Sequence, residues 1–555
     1  MNAPPPLSPA PPPGDGFPSR RTALVLWAAL LVPTLAPLGL SPVHRTQEAR
    51  VLEAAREMYE DPGTWLIPQL NGQVRLRKPP LAYWLSALSY CVFGVSEWAG
   101  RLPMALAGWL TVGVTCACGM WLLGRRAAFV GAAALASGYL FVSHAHLAET
   151  DVLATLFVTA AAYALWRGMA GVNPAYGPAR PRRNDDSPGP TNWRFCARWF
   201  ASAGVSLGLA VLSKGPPAAF ALLFAGALLA VVRRNLRAIA AWMALACAIG
   251  AIIGAPWFVY VASQPQGAVI AEELRIAAEG QDHYQAPWYY LPYILAALLP
   301  WAGFLVMGIA AAVQDRWRDR SSARLALWAG AVLLPLLTVG NKQPHYLLPL
   351  LPPLALLVGW IVDLALLDAG QLARAGRGVF LGTLIAAAIA APALVVGAAI
   401  ARPGVLPTDF LAGAAVLGAA GWTAHRWLRR GLSEGILAFA VAAALLFPAL
   451  LSGWAPTLAA TNVRTVARDI RQRAGEGPYC FYGQRDALPF CFELRTVIPV
   501  YDTPAKLLAA AARDQRLVVI TQEGKQDNVP PPLPPGFVER VTVRMPGYTL
   551  RAYRR

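Results

Sequence analysis

The sequence predicts an α-helical polytopic membrane protein with about thirteen spans and a small C-terminal α/β domain. Only 14% of its 555 residues are charged, whereas soluble domains carry roughly a quarter. Apolar runs close to the ~20 residues needed to cross a bilayer recur along the chain. The formal charge of +18 comes mainly from arginines between these runs, a distribution that membrane topology produces.

The same composition argues against several other classes of protein. An apolar content of 56% excludes a disordered chain, and seven cysteines in 555 residues do not make a secreted disulfide scaffold. Coiled coils are excluded by the continuous apolar runs. Since the topology accounts for the basic charge, nucleic-acid binding is not predicted.

The chain begins with a Pro-rich segment, which we expect to form a disordered cytoplasmic tail over residues 1–21. Arg20 and Arg21 then precede an apolar run at 22–40. Signal peptides share this arrangement, but the run is long enough to span and no small-residue cleavage site is convincing. We therefore predict an uncleaved first helix.

The charge of the loops decides whether the short apolar run at 81–95 crosses the membrane. If it does not cross, the arginine-rich loops are cytoplasmic and the short outer loops keep only Lys214, Arg275, Lys342 and Arg402. If it crosses, every later loop inverts and the positive-inside rule fails. We therefore predict thirteen spans within 22–455, and an interfacial amphipathic helix at 81–95 in a first outer loop at 41–102. The remaining predicted spans are 103–123, 127–146, 150–167, 197–213, 215–232, 238–262, 288–313, 323–340, 345–367, 377–401, 405–427 and 433–454.

From about residue 456 the pattern changes to short, alternating helix and strand signals. This alternation predicts a periplasmic α/β domain over 456–555. The predicted helices are Val463–Arg473 and Ala505–Arg513, and the predicted strands are Tyr479–Tyr482, Thr496–Val500 and Leu517–Thr521. In an oxidising compartment, Cys480 and Cys491 are candidates for a disulfide.

Polar side chains of both charges gather in the outer loops. Most have an ordinary alternative explanation: Glu48 and Arg50 as a solvated helix face, Lys78 as an interface anchor, and His345 as a satisfied interfacial side chain. Asp151 is harder to explain in this way, because an unpaired carboxylate at the membrane end of an apolar helix is costly. The joint pattern therefore indicates a functional site on the outer face.

These residue types suit a group transfer at the membrane surface. A carboxylate can accept a proton from an acceptor hydroxyl or amine. Basic side chains can bind a lipid phosphate and stabilise it as it leaves. Because nucleotide sugars are absent outside the cytoplasm, the expected donor is a sugar linked to a polyprenyl phosphate.

Several motifs in this chain resemble those of the ArnT-like and protein-mannosyltransferase superfamily of GT-C glycosyltransferases. In order, they are Gln47–Met58, Trp65–Gly72, Lys78–Trp84, Glu97–Pro103, Glu149–Asp151, Ser213–Pro216, Pro287–Pro292 and His345–Pro349. The resemblance implies a GT-C fold in a bacterial inner membrane. It also implies transfer from an undecaprenyl-phosphate sugar to lipid A, another glycolipid or a protein.

The resemblance also assigns roles to individual residues. Lys78 matches a lysine that contacts the lipid phosphate, and Arg275, His345 and Tyr346 match further substrate-binding positions. Asp151 matches an acidic position of the second outer loop.

The first motif departs from the family pattern. An Asp-Glu pair opens it in the family, whereas Gln47 and Glu48 stand here. Gln47 cannot act as a base, so Glu48 or Asp151 is expected to take the acceptor's proton while Arg50 orients a nearby carboxylate. Arg77 stands where ArnT has an acidic metal ligand, which leaves open whether Zn²⁺ or Mg²⁺ binds; no cofactor is predicted with certainty.

Two other functions stay open at this point. A transporter or flippase for lipid-linked sugars would need a midplane polar site and usually internal repeats, neither of which the sequence shows. A degenerate GT-C scaffold that binds polyprenyl lipids without catalysis is favoured by Gln47.

Overall fold

The computed structural model describes most of the chain. The described residues are 19–43, 45–177, 192–215, 218–231, 235–268, 285–315, 319–338, 340, 342–368, 370–401, 406–455, 463–483, 488–524, 530–545 and 548–555. Residues 1–18 of the tail predicted over 1–21 and the substrate-binding candidate Arg275 lie outside these ranges, whereas Arg20 and Arg21 begin the first helix.

The N-terminal part contains a broken apolar helix followed by a long polar loop. Its elements are α1 (Arg20–Ala29), α2 (Leu31–Leu35), α3 (Thr46–Glu60), β1 (Gln69–Leu70), β2 (Gln73–Val74) and α4 (Leu81–Phe93). The 13 residues of α4 extend about 20 Å, well short of the ~30 Å hydrocarbon core. This length agrees with the prediction that α4 does not cross the membrane.

The apolar part of the chain is a bundle of long helices. Its helices are α5 (Glu97–Leu122), α6 (Arg125–Ala136), α7 (Tyr139–Ala145), α8 (Thr150–Val172), α9 (Trp193–Lys214), α10 (Ala218–Val231), α11 (Leu236–Ala262), α12 (Tyr290–Ala297), α13 (Ala302–Gln314), α14 (Arg320–Thr338), α15 (Leu351–Leu367), α16 (Gln371–Ala401), α17 (Pro407–Arg430) and α18 (Leu432–Pro448). A 3₁₀ segment over Pro344–Leu350 leads into α15.

Within the described residues, eight helical segments are long and apolar enough to cross a membrane. Two bent pairs, α6 with α7 and Pro287–Ala297 with α13, raise the number to ten if each pair is one span. The multi-pass membrane architecture is therefore confirmed, whereas the count of thirteen stays a prediction.

Two spans occupy the centre of the bundle. The most apolar 18-residue stretch is 78% buried in α8 and in Pro344–Leu367, but only 17% buried in α16. Helices pack closely there because small residues face one another: a Cβ on Gly359 of α15 would lie 2.0 Å from the carbonyl oxygen of Ala127 in α6. Polar residues at the ends of the two central spans therefore point into protein rather than lipid.

The C-terminal part is a mixed five-stranded sheet with three helices. Its elements are α19 (Val463–Arg473), β3 (Tyr479–Tyr482), α20 (Leu488–Leu494), β4 (Val500–Tyr501), α21 (Pro504–Arg513), β5 (Val518–Glu523), β6 (Val538–Met545) and β7 (Tyr548–Arg554). The strand order is β4-β3-β5-β7-β6. Strand β3 pairs in parallel with β4 and β5, while β7 is antiparallel to β5 and β6.

The predicted elements of this part correspond closely to the observed ones. Val463–Arg473 and Tyr479–Tyr482 have the predicted bounds. The strand predicted over Thr496–Val500 is wrong in its limits, since it starts only at Val500. The sequence did not reveal α20, β6 or β7. The division into domains at residue 456 stays a prediction.

The disulfide considered between Cys480 and Cys491 is wrong, and both thiols are free. Side chains alternate across a strand. Cys480 therefore points from β3 towards Leu507 and Ala511 of α21. Cys491 packs on the opposite face of the sheet with Phe481.

Candidate active site

A cavity of about 490 Å³ lies where the first outer loop meets the ends of α8, α9 and the Pro344–Leu350 segment. Its lining combines four cationic side chains with two carboxylates. The cations are Arg50, Arg75, Lys78 and Lys214, the acids are Glu149 and Asp151, and Gln47, Tyr83, His345 and Tyr346 are among the other lining residues. The structure thus brings together all the described candidates for the site except Glu48.

Asp151 and Lys214 form a buried ion pair at the edge of this cavity. Asp151 is in the first turn of α8 and Lys214 in the last turn of α9, where each charge is favoured by the dipole of its own helix. Lys214 Nζ contacts Asp151 Oδ1 and lies 4.2 Å from the centroid of the Tyr346 ring. The predicted site residues did not include Lys214, although its place at the end of an apolar helix was a usable signal.

Glu149 is a second buried carboxylate at the cavity. Its Oε1 accepts a hydrogen bond from Arg45 Nη1 at 3.1 Å, and its Oε2 lies 2.6 Å from His144 Nδ1. Burial would raise the pKa of Glu149, but the hydrogen bond to His144 and the nearby positive charges lower it below its ordinary value. Glu149 is therefore an ionised group whose two oxygens are both engaged.

His345 and Tyr346 complete the wall opposite the first outer loop. The ring centroid of His345 lies 5.5 Å from that of His144 and 4.8 Å from that of Tyr346. Both residues open the 3₁₀ segment that leads into α15. The order in the sequence placed them on the outer face, and the structure places them beside Asp151.

Glu48 does not line the cavity, and its assignment as a catalytic carboxylate stays a prediction. It is fully buried, and its Oε1 and Oε2 accept bonds from Arg101 Nε at 2.7 Å and Nη2 at 3.1 Å. Successive helical residues point about 100° apart. Gln47 therefore faces the cavity, where its amide nitrogen donates to Gln343 Oε1 at 3.1 Å.

Arg75 lines the cavity beside Lys78 and was also missed. It follows β2, and its backbone N–H donates to the carbonyl of Pro68 at 2.7 Å. Its Nε is buried and has no hydrogen-bond partner in the described protein. Such a buried, unpaired donor marks a place where a ligand or water binds.

The donor set of the cavity does not suit a divalent metal ion. Over the described ranges, no three His, Cys, Asp or Glu side chains are placed to share an ion. The two cavity carboxylates are instead bound by Lys214 and by Arg45 with His144. Zn²⁺ or Mg²⁺ would have to displace these side chains, so we derive no step through a metal.

A second, larger cavity of about 1210 Å³ is lined by residues that bind Glu149. Arg45 and His144, which bind the Glu149 carboxylate, belong to its wall. Apolar residues such as Leu140 and Leu147 line it together with these polar groups. The hydrogen bonds of Glu149 thus connect the linings of the two cavities.

Part of the chain is similar in sequence to known proteins. Residues 77–177 match the family described as dolichyl-phosphate-mannose-protein mannosyltransferase. Relatives from Shewanella sediminis (28% identical) and Pseudomonas fluorescens strain Pf0-1 (29%) are named undecaprenyl phosphate-alpha-4-amino-4-deoxy-L-arabinose arabinosyl transferases. The matches cover 58% and 64% of this chain but 56% and 62% of those relatives, less than two thirds of their length.

Solved structures decide the fold. The crystal structure of ArnT from Cupriavidus metallidurans bound to undecaprenyl phosphate superposes with a TM-score of 0.72, covering 96% of this chain and 98% of that one at 21% identity. The chain has the ArnT fold. The oligosaccharyltransferase of Archaeoglobus fulgidus is more distant, with a TM-score of 0.51 over 91% of this chain and 70% of that one at 12% identity. The GT-C fold and the resemblance to ArnT-like proteins are thus confirmed.

Proposed function

We propose that this chain is a glycosyltransferase of the bacterial inner membrane. It moves a sugar from an undecaprenyl-phosphate-type donor to a lipid acceptor, lipid A being the acceptor we favour, on the periplasmic face. The observation that carries the proposal is the cavity in which four cations and two carboxylates meet at one end of an ArnT-like bundle. The names of the relatives support the same donor class, whereas nothing in them supports a protein acceptor.

The cations of the cavity account for binding of the donor phosphate. Lys78, Arg50 and Lys214 would donate charge-assisted hydrogen bonds to its oxygens. These bonds strengthen as the bond between the anomeric carbon and the phosphate oxygen breaks, because negative charge builds up on the departing phosphate. One role of Asp151 is to fix the position of Lys214.

The acceptor replaces the phosphate on the anomeric carbon, and its proton must leave if the attacking atom is a hydroxyl oxygen. Glu48 is bound to Arg101, and both oxygens of Glu149 are engaged. Asp151 contacts Lys214 through Oδ1. We propose that Asp151 accepts the proton of an acceptor hydroxyl. An acceptor phosphate would need no base, since its oxygen is already anionic at neutral pH.

The acceptor would enter through the larger cavity. Its wall carries the Arg45 guanidinium and the His144 imidazole next to apolar side chains, a combination that suits the head group and acyl chains of a glycolipid. The donor and acceptor would then meet at Glu149, whose hydrogen bonds connect the linings of the two cavities.

The test is a transfer assay with purified protein in lipid nanodiscs, an undecaprenyl-phosphate sugar and lipid A. We expect a glycosylated lipid from the wild type and from Lys506→Gln, a control on an exposed side chain. Lys214→Gln should yield little product. Transfer by Lys214→Gln at the wild-type rate would contradict the proposed site.

A second candidate is a catalytically degenerate scaffold that binds polyprenyl lipids. It is favoured by the neutral Gln47 at the cavity and by the engagement of Glu48 with Arg101. Native mass spectrometry of the purified protein separates the two functions. Bound polyprenyl phosphate without any product in the assay would support the scaffold, and product formation would exclude it.

A further inference from the structure

The cavity lined by Lys78, Asp151 and Lys214, called the donor cavity below, carries a charge that affects which sugar it can accept. This inference rests on the proposed function. The relatives are named for a 4-amino sugar, whose amino group is cationic at neutral pH. In the described part of this chain, four cations and two carboxylates line the cavity, so its formal charge is 4 − 2 = +2. The phosphodiester of a lipid-linked donor contributes one negative charge and leaves the described lining at 2 − 1 = +1.

Both carboxylates of the cavity already bind protein cations. Asp151 pairs with Lys214, and Glu149 binds Arg45 and His144 through separate oxygens. Arg45 adds a further positive charge within hydrogen-bond distance of the lining. A sugar ammonium would therefore have to compete with these buried partners, and like charges placed together in a partly desolvated site repel strongly.

The first motif removes another source of negative charge. Gln47 lines the cavity where the resembling family has an aspartate, and its amide nitrogen donates to Gln343 Oε1 at 3.1 Å. A glutamine side chain is neutral at every physiological pH. The departure at Gln47 thus makes the cavity more positive by one charge.

Arg75 supplies a donor that no described protein group uses. Its Nε is buried in the lining and has no hydrogen-bond partner, which is unfavourable unless a ligand or water completes it. The guanidinium presents Nε and Nη in a planar fork that matches the two oxygens of a carboxylate. A phosphate matches the same fork, so the lipid phosphate is the alternative source of the anionic group.

We propose that the transferred sugar carries a carboxylate instead of an ammonium group, and that Arg75 binds this carboxylate. The donor is then a polyprenyl-phosphate-linked sugar of the uronic acid class. The phosphate stays with Lys78, Arg50 and Lys214, and the carboxylate of the sugar offsets the remaining positive charge of the described lining.

The experiment compares three synthetic donors with the same polyprenyl phosphate: a uronic acid, the matching neutral hexose and a 4-amino sugar. We expect the kcat/KM of the wild type for the uronic acid to exceed that for the amino sugar by about tenfold or more. Arg75→Gln should lower turnover of the uronic acid by a similar factor and leave the neutral hexose almost unchanged. Arg516→Gln, on an exposed side chain, is the control. Gln47→Glu should shift the preference towards the amino sugar.

Three other outcomes would overturn the inference. If Arg75→Gln lowers turnover of all three donors equally, Arg75 binds the lipid phosphate and the inference is overturned. Preferred use of the amino sugar or the neutral hexose by the wild type overturns the inference but leaves the proposed function standing. If no donor is turned over, the proposed function fails and the inference fails with it.

Discussion

Glu48 and Arg101 form a fully buried ion pair although 53 residues separate them in the chain. Arg101 also donates to the carbonyl oxygens of Leu38 and Ser41 at 2.6 and 2.7 Å. Glu48 accepts in addition from the backbone N–H of Ala148 at 3.3 Å. The pair therefore joins the first outer loop, α5 and the loop before α8, and it sets the helix register that turns Gln47 towards the cavity.

Replacing Glu48 should damage stability before it damages chemistry. Glu48→Gln leaves the buried Arg101 without its counter-charge, and breaking a buried pair in this way costs about 3–5 kcal/mol. Thermal unfolding in detergent should show a large loss, whereas Asp502→Asn in an exposed pair should change little. A stable Glu48→Gln protein with greatly reduced kcat would instead show that Glu48 takes part in the reaction.

Glu48 shows which part of the site could not be predicted from the sequence. Glu48 and Asp151 are both acidic residues near the outer ends of apolar runs, and composition does not distinguish them. The difference comes from a partner 53 residues away, which only the packed structure reveals. The gathering of Lys78, Asp151 and His345 was predictable because loop charge fixes the side of the membrane.

Asp151 and Lys214 should behave as one unit in transfer. Asp151→Asn releases Lys214 from its position, and removing one group that stabilises the departing charge lowers kcat about 100-fold or more. The double variant with Lys214→Gln should lose little more than Asp151→Asn alone. Steady-state transfer kinetics provide the measurement, with Asp363→Asn, in the ion pair with Arg126 outside the cavity lining, as the control. Full activity of Asp151→Asn, or additive losses in the double variant, would show that the two residues do not act as one unit.

Lys78 should act mainly on the binding of the donor. Its ammonium group lines the cavity, and a charge-assisted bond to phosphate contributes about 1.5–3 kcal/mol. Lys78→Ala should therefore raise the KM for the lipid-linked donor about 10-fold to 100-fold, while Lys506→Ala leaves it unchanged. An unchanged donor KM in Lys78→Ala would dissociate this residue from the phosphate.

Asn71 connects the first outer loop with the C-terminal part. Its Nδ2 donates to the carbonyl of Ile498 at 2.9 Å, and its Oδ1 accepts from the N–H of Ile498 at 2.8 Å. Asn71→Gly retains the positive φ of 53° but removes both bonds, which should weaken docking by about 1–3 kcal/mol. Hydrogen exchange at Ile498 should become faster, and Asn173→Gly, beyond the opposite end of α8, serves as the control. Unchanged exchange would show that apolar packing alone holds the two parts together.

The C-terminal elements also show where prediction from sequence ends. The helix Val463–Arg473 and the strand Tyr479–Tyr482 have clear local patterns and were found with their observed bounds. Strands β6 and β7 carry Arg540, Arg544 and Arg551 among their apolar residues, so no apolar run marks them. Their pairing with each other and of β7 with β5 stabilises them, which is a tertiary effect.

Glu493 should make the stability of the protein depend on pH. Burial, followed by the negative charge of Glu97, raises the pKa of Glu493 to about 7 from 4.5, although Arg464 opposes this. The folded state therefore binds more protons than the unfolded state between these values, and stability falls as the pH rises from about 4.5 to 7. The loss is about 3 kcal/mol at most. Burial also raises the pKa of Glu53 to about 7, so the wild-type slope has more than one source. Glu493→Gln mimics the protonated form and should show a smaller slope over this range, with an unfolding temperature above that of the wild type at pH 7.5. Glu60→Gln, whose side chain is 52% exposed, should retain the slope of the wild type. A wild-type slope in Glu493→Gln would assign the pH dependence to another group.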